Sequence, residues 1–301
     1  VLGSWTYLGE AAALATALVW ALAVILFKKS GESVHPVGLN MFKSLLAAIL
    51  FVPTAWFFGE TLLRPVPSEE YLLLFISGAL GIGIADTLFF KSLNILGAGL
   101  TAIVDCLYSP SIIGLSMIWL GETLTFWQLV GVTMIVSAVL SIMVERHAKV
   151  TDRRRILVGI GWGALAMLSM AVGIVMIKPL LDRSPLIWST EVRLLGGLAV
   201  LAAVLVFHPS RRAIVASVRA PRSWAYTLSG SFFGAYLAMV LWLAGMKFTQ
   251  AATAAALNQT SNIFVFIFAA LMLKERITPV RVAAIILAVA GALLVTFARG
   301  G

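Results

Sequence analysis

Apolar residues run along this chain in long unbroken blocks separated by short polar gaps; they do not alternate with polar positions. Ten blocks approach the ~20 residues that cross ~30 Å of hydrocarbon as a helix. They are roughly Gly9 to Phe27, Pro36 to Phe58, Tyr71 to Phe90, Gly99 to Leu120, Phe126 to Val144, Ile156 to Ile177, Leu186 to Phe207, Ala225 to Met246, Ala251 to Leu273 and Pro279 to Ala298. A membrane barrel would need a polar residue at every second position, so continuous runs predict helices. The gaps carry helix breakers or charge, as in Lys28-Lys29-Ser30-Gly31-Glu32, Pro65-Val66-Pro67-Ser68 and Pro209-Ser210-Arg211-Arg212, and only Glu145 to Arg155 is longer. The expected fold is an all-α polytopic membrane protein with ten transmembrane helices.

The pattern occurs twice. Thr101 to Gln128, TAIVDCLYSPSIIGLSMIWLGETLTFWQ, superimposes at a constant offset on Ala254 to Arg281, AAALNQTSNIFVFIFAALMLKERITPVR: Leu120, Glu122 and Thr125 fall on Leu273, Glu275 and Thr278, and Asp105 falls on Asn258. Earlier in each half, Lys28 and Lys43 have the same spacing as Lys178 and Arg193. Each half then holds five spans, and an odd number puts the second copy into the membrane upside down, the inverted-repeat plan of many secondary transporters. The expected division is a first five-helix unit over residues 1–145, a cytoplasmic connector over 146–155 and a second, inverted unit over 156–301.

Composition removes the soluble alternatives. The 301 residues are 61% hydrophobic and 12% charged, with a mean hydropathy of +1.01, against ~45–50% apolar and ~25% charged in a soluble domain. The formal charge of +9 does not point to nucleic acid, because the Lys and Arg residues sit in the gaps between apolar runs. There they fit cytoplasmic anchoring. Connectors 1–2, 3–4, 5–6, 7–8 and 9–10 carry most of them, which makes that side cytoplasmic and leaves both termini outside. The single cysteine, Cys106, excludes an internal disulfide and a cysteine-rich metal site. The first apolar run lacks a basic leader and is too long for a signal-peptide core, so it is expected to be a membrane span.

Ionisable and polar groups at membrane depth are the candidate chemistry, since each ionisable one costs at least ~2.5 kcal/mol and normally faces a partner or a wet cavity. Lys43 and Arg193, at equivalent positions of the repeat, suit a substrate carboxylate or phosphate. Alternatively they reach the headgroups, or pair with Asp86 and Glu191 to hold helices together. Asp86 lies in a glycine-rich third span suited to close helix packing. Asp105, Tyr108 and Ser109, with Asn258, Gln259 and Asn262 from the second copy, form the densest polar set, and Pro110 is expected to break the helix beside it. Asp105 is also the candidate coupling residue, because a carboxyl at membrane depth can take up and release a proton. Trp20, near the middle of its span, either stacks on a ligand or packs the core. Trp56, Trp119, Trp127 and Trp188 read as an interfacial belt, and Glu122 and Glu275 as caps of the turns that contain them.

With LGETLTFWQLVGVTMIVSAV closing one half and LKERITPVRVAAIILAVAGALL the other, the chain resembles the drug/metabolite transporter superfamily, in the form with paired EamA domains. The resemblance implies a central cavity lined by spans 1 to 4 and 6 to 9, with spans 5 and 10 behind. Relatives export amino acids, move drugs or nucleosides, or exchange phosphorylated sugars. The family is usually drawn with both termini in the cytoplasm, opposite to the charge count here.

The expected function is secondary transport of a small polar metabolite, an amino acid or related compound, in the export direction, by alternating access coupled to protons. Exchange of phosphorylated or nucleotide-linked metabolites and channel-like facilitation are the alternatives. An enzyme is not expected, because His35, His147 and His208 all lie in connectors and neither His-Glu-x-x-His nor Gly-x-Ser-x-Gly occurs. No cofactor or metal is expected. The expected partners are the substrate, the lipid bilayer and a proton or cation, with no nucleic acid. The expected state is a monomer or weak homodimer in a bacterial inner (cell) membrane.

Overall fold

A computed structural model describes residues 7–61, 63–120, 125–143, 150–219, 224–248, 254 and 257–297. The first half contains α1 (Leu8–Ser30), α2 (Pro36–Phe57), α3 (Ser68–Gly78), a π-helical segment (Ala79–Ile84), α4 (Ala85–Leu96), α5 (Ala98–Asp105), α6 (Tyr108–Leu120) and α7 (Phe126–Met143). The second contains α8 (Val150–Val175), α9 (Lys178–Leu181), α10 (Leu186–Phe207), α11 (Arg211–Val218), α12 (Trp224–Ser231), a π-helical segment (Phe232–Leu237), α13 (Ala238–Phe248), α14 (Ser261–Met272) and α15 (Pro279–Phe297). There is no strand among the described residues. Among the described residues, eight helices are long and apolar enough to cross a membrane, and Phe126–Ser141 and Leu257–Met272 are shorter apolar helices. The protein is an all-α polytopic membrane protein. Ile49, Leu72, Ile118, Phe207 and Ile286 turn outward, as side chains facing acyl chains do.

Local sequence sets the helix boundaries. Pro36 opens α2 at a position whose N–H needs no helical partner, and the Nδ1 of His35 accepts from Val37 N at 3.3 Å. Pro67 precedes α3, whose first turn holds Glu69 and Glu70 against the positive helix end. Two boundaries differ from expectation. α8 starts at Val150, so residues 150–155 of the expected connector are helical. The interruption in the fourth span lies at Cys106 and Leu107, not at Pro110. Pro110 sits in the first turn of α6, where proline removes no helical hydrogen bond.

Both halves keep the same element order at nearly constant offset. α2 and α10 are each 22 residues long and start at equivalent positions. The π-helical segments Ala79–Ile84 and Phe232–Leu237, 6 residues each, coincide under the offset that pairs Leu120 with Leu273. So do the starts of α6 and α14, and of α7 and α15. Packing is reciprocal: α1 lies against α13 and α14 as α8 lies against α4 and α6, and α10 lies against α3 as α2 lies against α12. The pairs α2 with α10, α5 with α14, and α7 with α15 join the halves.

Connectors meet at two ends. At the first, Lys28 Nζ donates to Asn94 O at 3.0 Å, His35 N donates to Ser217 Oγ at 3.2 Å, and the rings of His35 and His208 lie 5.8 Å apart. A cavity of about 470 Å³ there touches Lys28, Gly97, Arg155 and Glu275. At the second end Arg183 bonds Glu70 at 2.6 Å, and Trp188 N donates to Glu60 Oε2 at 3.0 Å. Trp188 is 1% exposed, beneath Arg64 and edge-on to Tyr71, and does not belong to an interfacial belt. Trp56, Trp119 and Trp127 are exposed.

Candidate functional site

Lys43 of α2 and Asp86 of α4 form an ion pair at 2.7 Å, with only 10% and 16% of their side chains exposed. A pair this enclosed holds its charges together, because either partner alone would be an uncompensated buried charge. Asn40 lies one helical turn before Lys43. Its Nδ2 donates to Ile82 O at 2.7 Å, Gly83 O at 3.1 Å and Thr87 Oγ1 at 3.0 Å. The acceptors belong to the π-helical segment and the turn after it, where the shifted hydrogen-bond register leaves carbonyls to be satisfied from outside. Ser169 Oγ of α8 takes Leu80 O in the same way, at 2.9 Å. The wide turn that presents Asp86 to Lys43 is thus held from two sides.

Arg193 approaches from the second half. Its Nε donates to Ser77 Oγ at 3.0 Å, and Ser77 in turn donates to Gly173 O at 2.6 Å. The close approach needs glycine: a Cβ on Gly78 would lie 1.8 Å from Arg193 O, and one on Gly196 would lie 2.0 Å from Phe75 O. α3 and α10 therefore touch backbone to backbone, with the guanidinium over Gly81. Arg193 is within electrostatic reach of Asp86 and Tyr108.

Asp105 is the last residue of α5 and Tyr108 the first of α6, on either side of the interruption. Asp105 lies within electrostatic reach of both Asp86 and Tyr108. Ser109 is buried. Asn262 of α14 donates from Nδ2 to Cys106 Sγ at 3.4 Å, which brings the matching interruption of the second half against the first. Asn258 and Gln259 are half-buried just before α14, and Asn258 Oδ1 is enclosed without a hydrogen-bond partner among the described residues. Arg193, from the continuous α10, and Asp105 are thus each within electrostatic reach of Asp86 and Tyr108, which lie at the interruptions of the third and fourth spans, with Lys43 paired to Asp86 and Asn262 against Cys106.

Two expected site residues stand apart. Glu191 is buried in α10, but Oε2 has no hydrogen-bond partner among the described residues, and no ion pair joins it to Arg193. Two residues apart on a helix, their side chains leave in different directions. Trp20 lies against Phe89 with ring centroids 6.5 Å apart, at the edge of the main apolar core. The cavity of about 470 Å³ and another of about 610 Å³ open at span ends, and neither is the expected central one.

Glu275 caps the start of α5 in the other half, with Oε1 2.7 Å from Ala98 N and Oε2 3.0 Å from Gly99 N, and does not cap its own turn. Glu122 lies outside the described residues. Asn40 and Ser77 are not among the site residues expected from the sequence. A polar side chain one turn from Lys43, facing a run of glycines, was the available signal for Asn40.

The pattern of one family matches this chain twice, over residues 7–144 and 157–297: the EamA-like transporter family. The chain belongs to that family. Its two EamA units account for the reciprocal packing above, and the protein is an integral membrane transporter. An uncharacterized transporter of Archaeoglobus fulgidus is 26% identical over 270 residues, covering 88% of this chain and 89% of its own. A protein of known crystal structure superimposes with a TM-score of 0.67 at 16% identity, covering 99% of this chain and 98% of that one, which is a likeness of fold.

Proposed function

We propose that this EamA protein is a secondary transporter of a small zwitterionic or singly acidic metabolite, an amino acid or related compound, exported by alternating access with Asp105 as the proton-coupling site. The observation that carries the reading is the convergence of Arg193 from one half with Asp86 and Tyr108 of the other, and of Asp105 with the same two groups, at the interruptions of the third and fourth spans. Reacting polar groups on interrupted helices between two repeats are the usual construction of a transport site. Charge balance favours a zwitterion over a phosphorylated metabolite: Lys43 is matched by Asp86, so the cluster holds no pair of unmatched cations for a dianion. Unlike groups at the equivalent positions 105 and 258 also support alternating access over a channel with matched rings.

The reading includes ten spans in two oppositely oriented units. The two sets of meeting connectors support it, since the chain must cross between ends after α1, α2, α4, α8 and α10. The end bearing Lys28, Arg155, Arg211 and Arg276 is cytoplasmic on this reading. Purified protein in liposomes, offered amino acids, nucleosides and phosphorylated sugars, should show saturable flux of amino acids. Saturable flux of phosphorylated sugars alone would replace the reading with an exchanger.

A further inference from the structure

α11 is a short helix with two unlike faces. Ile214 is 2% exposed and packs with Val37 of α2 and Leu201 of α10, and Ser217 Oγ of the same face accepts His35 N at 3.2 Å. This face fixes α11 to the ends of α2 and α10. The opposite face presents Arg211, Arg212, Val215, Ala216 and Arg219 to a cavity of about 610 Å³, closed on its far side by Leu205 and Val206 of α10. Arg211 turns back, with Nη1 3.2 Å from Val206 O, where it satisfies a carbonyl at the end of α10. Arg212 and Arg219 are exposed and make no salt bridge among the described residues. Among the described residues, no carboxylate lines the cavity.

The position is as telling as the charge. α10 ends at Phe207, and beside the arginines its last turns leave Val204 41%, Val206 57% and Phe207 85% exposed. A cationic rim directly above an exposed apolar helix end matches a molecule with an anionic head and an acyl tail. A soluble anion would use the rim and leave the apolar wall unused. We propose that this cavity is a binding site for the phosphodiester headgroup of an anionic phospholipid from the bordering leaflet, with Arg212 and Arg219 on the phosphate and the acyl chains along Leu205 and Val206. Basic pockets between helix ends bind anionic headgroups by this combination of charge and apolar contact. Because α11 also holds the first turn of α2 through Ser217 and His35, a bound lipid ties the connector after α10 to that turn.

The test uses the full chain in neutral detergent, titrated with dioctanoyl phosphatidylglycerol, dioctanoyl phosphatidylcholine or glycerol phosphate, with bound ligand read by native mass spectrometry. Phosphatidylglycerol should bind in preference to phosphatidylcholine, and Arg212→Gln with Arg219→Gln should weaken it by about 30-fold, the value of two cations near an anionic head. Arg212→Lys with Arg219→Lys keeps the charge and should stay within about threefold of the parent. Glycerol phosphate occupying the site at the same concentration as the lipid would make it a soluble-anion site and overturn the proposal. An unchanged phosphatidylglycerol preference in the glutamine variant would also overturn it.

Discussion

Glu275, in the connector before α15, holds the first turn of α5 by accepting Ala98 N at 2.7 Å. Its second oxygen takes Gly99 N at 3.0 Å, so one carboxylate from the second half satisfies two free N–H groups of the first and opposes the positive helix end. Gly97 makes room for it: φ is +85°, and a Cβ there would lie 2.6 Å from Glu275 Oε1. Glu275→Ala should cost about 2 kcal/mol, as loss of a charged cap does, and Glu275→Gln less. Thermal unfolding in detergent would show it, and unchanged midpoints in both variants would mean that the cap contributes nothing.

Lys43 and Asp86 should behave as a unit. Replacing Lys43 by Gln or Asp86 by Asn strands the other charge and should destabilise by about 3–5 kcal/mol, while the double replacement should recover most of the loss. A double-mutant cycle on unfolding decides this. Additive losses would show that the ion pair contributes no coupling in the folded state.

Much of this architecture was readable because a membrane forces long apolar runs, and the repeat survives as a constant offset between Leu120 and Leu273. The fine geometry was not. A π-helical segment changes which carbonyl each N–H meets without altering hydrophobic pattern, so the wide turns at Ala79–Ile84 and Phe232–Leu237 left no periodic trace. Proline drew the predicted break to Pro110, although a proline in a first turn marks a helix start; the chain breaks earlier, at Cys106 and Leu107, before Tyr108. Trp188 looked like a belt residue because it lies near a span end, whereas Arg64 and Tyr71 cover it there. Glu275 was legible as a cap, but the helix it caps lies far away in sequence.

Connector geometry fixes a labelling pattern. In a Cys106→Ser background, Arg153→Cys should react only from the cytoplasmic side and Glu69→Cys only from outside; both residues are exposed at their helix starts. Reaction of both from one side would contradict the two-ended arrangement. The reversed pattern would keep the fold and turn it over in the membrane, as the family is usually drawn.

His35 gives the protein a pH-sensitive corner. Burial, then His208, then Lys91 hold its imidazole below the ordinary value of 6.5. Its neutral form fits, with Nδ1 accepting from Val37 N. With the folded pKa depressed, this stability is complete above the unfolded value of 6.5 and is lost as pH falls through the folded pKa. Lowering pH from about 7.5 to about 5.5 should therefore reduce the thermal midpoint more in the parent than in His35→Asn, which keeps a capping acceptor without titrating. Equal pH slopes would remove His35 as the cause.

Asp105 can be tested with a built-in control, because the equivalent position already holds Asn258. Asp105→Asn should reach the membrane and retain substrate binding while losing the response of flux to a pH gradient. A variant that keeps the full response would leave Asp105 as a substrate or packing residue.

Arg193 bears the most direct test of the account, since it is the cation that the second half brings within reach of Asp86 and Tyr108. Initial rates of amino-acid uptake into proteoliposomes should saturate with the parent protein. With Arg193→Gln they should fall by about 10–100-fold for substrates carrying a carboxylate, the loss of one charge-assisted contact, while uncharged amide analogues change by less than about threefold. Circular dichroism and thermal unfolding should confirm a folded variant. Equal losses for carboxylates and amides in a folded variant, or no saturable amino-acid flux in the parent, would contradict the assignment of this cluster as the transport site.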